Sequence, residues 1–167
     1  MIAPEDLRDL IRSGLLSFPV TPFDCEGAFN PHAFAAHLEW LSPHKIAGLI
    51  VAGGTGELFS LAPAEVIDVV KTARVVQPTK PVIAGCGYVT RMACDMAQQI
   101  EAAGGDGILL LPHYLINAPQ DGIAAHIRAV CNSTQMGVII YNRGHSVVSA
   151  ETLEQLVDQC PNLIGFK

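Results

Sequence analysis

Gly104-Gly105-Asp106-Gly107-Ile108-Leu109-Leu110-Leu111-Pro112 encloses an apolar run between a glycine-rich entry and a proline stop. The run does not alternate apolar with polar, so it has no face meant for water. A strand buried on both faces reads this way, and such strands belong to parallel sheets. Runs of the same kind recur at Leu15–Val20, Gly48–Ala52, Pro81–Gly85, Gly107–Leu111, Gly137–Tyr141 and Leu163–Lys167. Each is short and β-branched or leucine-rich, and most are flanked by Gly or Pro.

Helical patterns fill the gaps between them. Asn30-Pro31 reads as an N-cap followed by proline in the first helical position, with Phe34, Leu38 and Leu41 on one face. Pro63–Val76 turns Val66, Val69, Val70 and Ala73 inward. Thr90 can cap a helix carrying Ala93, Met96, Ala97 and Ile100, and Ser149 one carrying Leu153, Leu156 and Val157. The stretch after Pro119 carries Ile123, Ile127 and Val130. Strand and helix alternate at the roughly 30-residue spacing of a βαβ unit. No linker or composition break interrupts them, so residues 1–167 are expected to form a single domain.

Two α/β architectures fit this rhythm. A doubly wound sheet would be complete with six strands. A closed barrel takes eight strands and typically about 250 residues, so a barrel here would stop after about six. Periodicity leaves both open, and length favours the open sheet slightly.

Half of the 167 residues are apolar and 16% are charged, as strands covered on both faces require. No uncharged apolar stretch approaches the ~20 residues of a membrane span. The N-terminal Met1–Gly14 segment carries acids and lacks a signal-peptide core, which predicts a cytoplasmic protein. A net charge of −6 provides no basic footprint for nucleic acid, and an anionic substrate would have to be held by local groups. Cys25, Cys86, Cys94, Cys131 and Cys160 form no C-x-x-C pair and read as reduced, small apolar residues. The six histidines, His32, His37, His44, His113, His126 and His145, show no metal-ligand spacing.

Several polar positions fall at strand ends, where α/β enzymes keep their chemistry. Gly53-Gly54-Thr55-Gly56-Glu57 follows the second strand; it lacks the Gly-Lys-Ser/Thr of a phosphate loop. It either presents backbone N–H groups to an anion or simply makes a tight turn. Gly85-Cys86-Gly87-Tyr88-Val89-Thr90 lacks the third glycine of a dinucleotide turn. Tyr114 ends the fourth strand and Tyr141 the fifth; each is either a proton relay or a half-buried phenol satisfied by backbone. Lys167 ends the sixth. Buried there, its ammonium would be penalised, and the neutral amine could attack a ketone; exposed, it would be an ordinary lysine.

Together these pieces resemble the dihydrodipicolinate synthase / N-acetylneuraminate lyase superfamily. The resemblance is carried, in order, by Phe18-Pro19-Val20-Thr21-Pro22-Phe23, the Gly-Gly-Thr-Gly-Glu loop, Val82–Gly87, Gly104–Pro112, Tyr141-Asn142 and Ile164-Gly165-Phe166-Lys167. It covers essentially the whole chain and implies a parallel (β/α)8 TIM barrel, of which about six strands are present. Gly14–Thr21, Ala52–Leu61, Leu110–Leu115 and Tyr141-Asn142-Arg143 resemble the branch that dehydrates and decarboxylates 5-dehydro-4-deoxyglucarate to 2,5-dioxopentanoate. Synthases usually carry two threonines in the loop, where Gly54 and Thr55 stand, and an arginine five residues beyond the tyrosine, where Ser146 stands.

By this resemblance Lys167 forms a Schiff base with a ketone, Tyr141 and Thr55 move protons, and the loop Gly53–Thr55 binds the substrate carboxylate. Tyr114 and Arg143 are expected at the substrate. No metal or organic cofactor is implied, and the partners are a small sugar acid and, by analogy, further copies of the chain in a homo-oligomer. Members of the superfamily continue beyond the lysine, so the chain alone is expected to be inactive or to need a complementing segment. Three further readings stand beside it at this stage: a related Schiff-base aldolase acting on a 2-keto acid, a fragment without catalysis, and nucleotide binding by an open sheet.

Overall fold

The computed structural model describes residues 1–112, 117–144 and 147–167. Six helices and six strands alternate: α1 (Pro4–Ile11), β1 (Leu15–Ser17), α2 (Pro31–Leu41), β2 (Ile46–Val51), α3 (Pro63–Val76), β3 (Val82–Cys86), α4 (Thr90–Ala102), β4 (Gly107–Leu110), α5 (Gln120–Asn132), β5 (Gly137–Ile140), α6 (Ala150–Gln159) and β6 (Leu163–Phe166). All six expected strands are present, several trimmed at their ends because the terminal residues turn into loops. Two expected caps form: Asn30 Oδ1 accepts from Ala33 N at 3.0 Å, and Ser149 Oγ from Thr152 N at 3.2 Å. Thr90 does not cap α4. Val89 holds that position, and the Thr90 hydroxyl is drawn instead to His126 Nδ1 on α5, 2.9 Å away.

The sheet is parallel throughout and its strand order is β1-β2-β3-β4-β5-β6. That order decides between the two architectures. A doubly wound sheet reverses direction once, which sends helices to both faces. Strictly sequential strands joined by right-handed crossovers keep the crossover helices on one face, and the sheet must curl. The curl is visible in one contact. Lys167, after β6, brings its ammonium within 4.5 Å of the Phe18 ring, just beyond β1. In a flat sheet the two strands would stand five spacings apart, roughly 24 Å.

The concave side is apolar, with Leu16, Ile50, Leu109, Ile139 and Ile164 converging from five strands on a hollow of about 360 Å³. The middle strands β3, β4 and β5 are buried along their whole length, whereas β1 and β6 are not. Leu15 and Phe166 on these edges stay 64% and 45% exposed, as open edges imply.

Helix α1, which no pattern announced, lies across the base of this half barrel. Only Leu7 of its eight residues is buried. A Cβ on Gly107 or Gly137, which open β4 and β5, would come within 2.8 or 3.1 Å of Leu7 Cδ2, so both strands begin on glycine to admit it. A charged knot ties the same end. Asp106 accepts from Arg74 Nη2, from Val82 N at 3.0 Å and from Ile2 N at 3.1 Å. Arg74 also donates to the carbonyls of Gly104, Pro78 and Lys80.

Candidate active site

The opposite, C-terminal end of the sheet carries the polar residues that the motifs singled out. The loop after β2 is held in an unusual shape. Ala52 and Glu57 adopt positive φ, 47° and 56°. Such backbone costs on the order of 1–3 kcal/mol in a non-glycine residue and persists only where its surroundings hold it. Here Gly85 of β3 makes the space, since a Cβ on it would sit 1.9 Å from the Ala52 carbonyl oxygen. The buried Thr21 donates its hydroxyl to Gly56 O at 2.7 Å. Tyr88 donates to Leu58 O at 3.0 Å, pinning the short 3-10 turn Leu58–Ser60 that follows. With Gly53 buried beneath, Gly54 and Thr55 are left exposed at the rim. Gly85→Ala is therefore expected to cost about 3 kcal/mol and to dislodge the loop, seen as a lower melting temperature together with weaker carboxylate binding.

The ends of β5 and β6 supply the rest. Lys167 continues the pairing with β5, through Lys167 N to Ile140 O at 2.8 Å and Asn142 N to Lys167 O at 2.7 Å. These bonds aim its side chain across the mouth. The ammonium stands 4.3 Å from the Tyr141 ring centre and faces Phe18 on its other side. Arg143 Nη1 donates to the Tyr141 hydroxyl at 2.9 Å. Phe18, Gly54, Thr55, Tyr141, Arg143 and Lys167 line one cavity of about 300 Å³.

Five of the seven expected site residues thus share one cavity. Gly53 lies under the loop and shapes it, and Tyr114 falls outside the described residues, as do His113, His145 and Ser146. Lys167 is exposed, not buried. The motif reading gave no individual roles to Phe18, Thr21 and Tyr88, although the first two lie in the quoted Phe18–Phe23 motif.

The neighbouring cations act on the Tyr141 phenol. The hydrogen bond from Arg143 is the largest influence and holds it below the ordinary value of 10.0; desolvation opposes this, and the charges of Lys167 and Arg143 add smaller lowering effects. Tyr88, by contrast, is pushed up by burial. A spectrophotometric titration of the phenols should resolve Tyr141 on the low side, and Tyr141→Phe should remove that step. A reaction limb that needs the protonated phenol would fall away below pH 10, and Arg143→Gln would move it upward.

Desolvation pushes the Cys86 thiol up to about 12, with Sγ donating to Ala93 O, and burial also raises Cys131. All five cysteines are free, and Cys86, Cys131 and Cys160 are buried as small apolar residues; Cys25 is exposed. Among the described residues no group of three His, Cys, Asp or Glu side chains is placed to hold a metal ion, and no helix is long and apolar enough to cross a membrane.

The sequence model of the dihydrodipicolinate synthetase family matches residues 12–167. The chain belongs to this family. Among solved members, the dihydrodipicolinate synthase of Agrobacterium tumefaciens superposes with a TM-score of 0.90 at 29% identity, over 97% of this chain and 56% of that one. The Aquifex aeolicus synthase gives 0.87 at 28% identity, over 92% and 54%. Curated members are more similar in sequence. The protein of Allorhizobium ampelinum named as a probable 5-dehydro-4-deoxyglucarate dehydratase is 53% identical over 98% of this chain and 54% of its own length. That of Rhizobium meliloti, named likewise, is 54% identical over 99% and 55%. The chain spans about half the length of the curated family members it matches.

Proposed function

We propose that this chain carries the Schiff-base centre of a lyase converting 5-dehydro-4-deoxy-D-glucarate to 2,5-dioxopentanoate, water and CO2, within glucarate catabolism. One observation carries the reading: the Lys167 amine stands against the Tyr141 phenol, in a cavity shared with the exposed Gly54-Thr55 rim. The names of the half-identical family members supply the substrate class.

In this reading the substrate's ketone-side carboxylate lies on the backbone N–H groups of Gly53–Thr55. Lys167 Nζ attacks the ketone carbon, C5, and loss of water gives the iminium. Tyr141, with the Thr55 hydroxyl, moves the protons of these steps. Loss of a C4 proton gives an enamine, which expels the C3 hydroxyl as water. The C1–C2 bond then breaks, CO2 leaves, and the electron pair runs into the conjugated iminium. Protonation and hydrolysis free the product and return the amine. No metal or organic cofactor enters. Residues 1–167 then form part of one barrel domain of a cytoplasmic homo-oligomer, which a sizing column tests.

In a protein that turns over, whether this chain alone or one completed by the remaining half of the barrel, Tyr141→Phe is expected to slow turnover on the order of 10²- to 10³-fold. The direct test is borohydride reduction during incubation with 5-dehydro-4-deoxyglucarate, followed by mass spectrometry. An adduct on Lys167 together with CO2 release supports the reading. An adduct with pyruvate release and no CO2 replaces it with aldol cleavage, and no adduct from folded protein overturns it.

A further inference from the structure

One side chain closes the loop after β5. Asn142 Oδ1 accepts from the Val148 backbone N–H at 2.7 Å and so ties the returning chain to the residue it left six positions earlier. Val148 is a firm anchor. It is 5% exposed, and Gln120, the first residue of α5, grips the residues on either side of it. Gln120 donates to Val147 O at 2.8 Å and accepts from Ser149 N at 2.9 Å. The backbone of Asn142 makes a second tie. Its N–H donates to Lys167 O at 2.7 Å, while Lys167 N donates to Ile140 O at 2.8 Å. Asn142 is thus fixed at once to the strand end that bears Lys167 and to the far limb of its own loop.

The residues on either side of Asn142 make a polar contact at the cavity. Tyr141 and Arg143 both line it, whereas Asn142 does not. Arg143 is exposed, and its Nη1 donates to the Tyr141 hydroxyl at 2.9 Å. A long solvated arginine loses side-chain entropy when held in one geometry, so such a contact depends on a backbone that is already ordered. Two bonds order it here. Arg143 N donates to Tyr141 O at 3.0 Å, and the Asn142 closure fixes the chain on both sides of that turn.

Resting on the proposed lyase reading for its catalytic meaning, we infer that Asn142 is a positioning residue of this site. Its side-chain bond to Val148 N holds Arg143 against the Tyr141 hydroxyl, and its backbone bond to Lys167 O keeps that pair beside the amine. Asn142 acts through its two neighbours.

The test reads the phenol, which a merely structural loop residue would not move. The Tyr141 step is followed by spectrophotometric titration of the full chain, each variant being paired with the same variant carrying Tyr141→Phe. Asn142→Leu keeps the size and loses the acceptor, so the step should move upward, in the direction that Arg143→Gln moves it. Added to Arg143→Gln, Asn142→Leu should shift it no further, because the contact it supports is already gone. Asn142→Ser, a weaker acceptor of shorter reach, should give a smaller upward shift, and it serves if Asn142→Leu does not fold. Gln120→Ala frees the loop from α5 but leaves the Asn142 bond, and should leave the step in place. An unmoved step in folded Asn142→Leu or Asn142→Ser, a full further shift on top of Arg143→Gln, or an equal shift in Gln120→Ala overturns the inference. Borohydride trapping of pyruvate reports separately on the amine, and Asn142→Leu should slow the Lys167 adduct on the order of 10-fold. A phenol shift with no adduct in the unsubstituted protein condemns the lysine reading alone. An adduct with an unmoved phenol condemns the role of Asn142 alone.

Discussion

If the proposed lyase reading holds, Lys167→Ala is expected to abolish the borohydride-trapped adduct and to lower turnover on the order of 10⁴-fold or more, while the protein still folds. The size follows from the kind of step removed. Without a primary amine the ketone cannot become an iminium, and both eliminations lose the acceptor for their electron pairs. Lys167→Arg should fail as completely, because a guanidinium keeps the charge but is not a nucleophile at working pH. Stability should change little. The side chain is exposed, and its contacts are the Phe18 and Tyr141 rings, worth about 1 kcal/mol or less each at such a site. A melting temperature close to that of the unsubstituted protein, with no adduct, is the expected pair of results. A surviving adduct in Lys167→Ala would place the amine elsewhere.

Asp106→Ala has an expected effect on stability as large as that of Gly85→Ala, and it acts at the far end of the sheet. The carboxylate is 2% exposed and accepts from the Arg74 guanidinium and two backbone N–H groups. Its removal strips Val82 N and Ile2 N of their acceptor and leaves a cation without its anion. Breaking a buried pair of this kind costs on the order of 3–5 kcal/mol. The Arg74 side chain is 25% exposed, so water softens the loss, and about 3 kcal/mol is the expected value. That corresponds to a drop in melting temperature of about 10 °C. Asp106→Asn keeps an acceptor for the backbone and should fall in between. Because the knot lies opposite the cavity, the surviving folded fraction should still trap an adduct on Lys167. A change in melting temperature below about 2 °C would show that the network contributes little.

Much of this was legible before any coordinates. The unbroken apolar runs marked all six strands, because burial on both faces leaves no room for alternation. Asn30 and Ser149 announced their helices through local cap chemistry, which needs only a few neighbouring residues. Thr90 misled for the converse reason, since its hydroxyl found a partner 36 positions away on another helix. Helix α1 stayed hidden because it is held by one leucine, fitted against glycines that lie far along the chain.

The sequence by itself determined the elements other than α1, their parallel pairing and the residue types at the strand ends: a glycine-rich loop, a tyrosine, a lysine. These follow from local periodicity and from side-chain chemistry that each residue carries with it. Periodicity left an open and a curled sheet undecided; the family resemblance implied the curled one, and the tertiary structure bears that out and shows how the curl creates the site. Curling brings the segment after β1, the loop after β2 and the ends of β5 and β6 around one cavity, where Lys167 lies between Phe18 and Tyr141. It also decided that Arg143 reaches the Tyr141 hydroxyl and that Gly85 yields its Cβ space to Ala52. Such contacts depend on strand order and curvature, which accumulate over the whole sheet and leave no local mark in the chain.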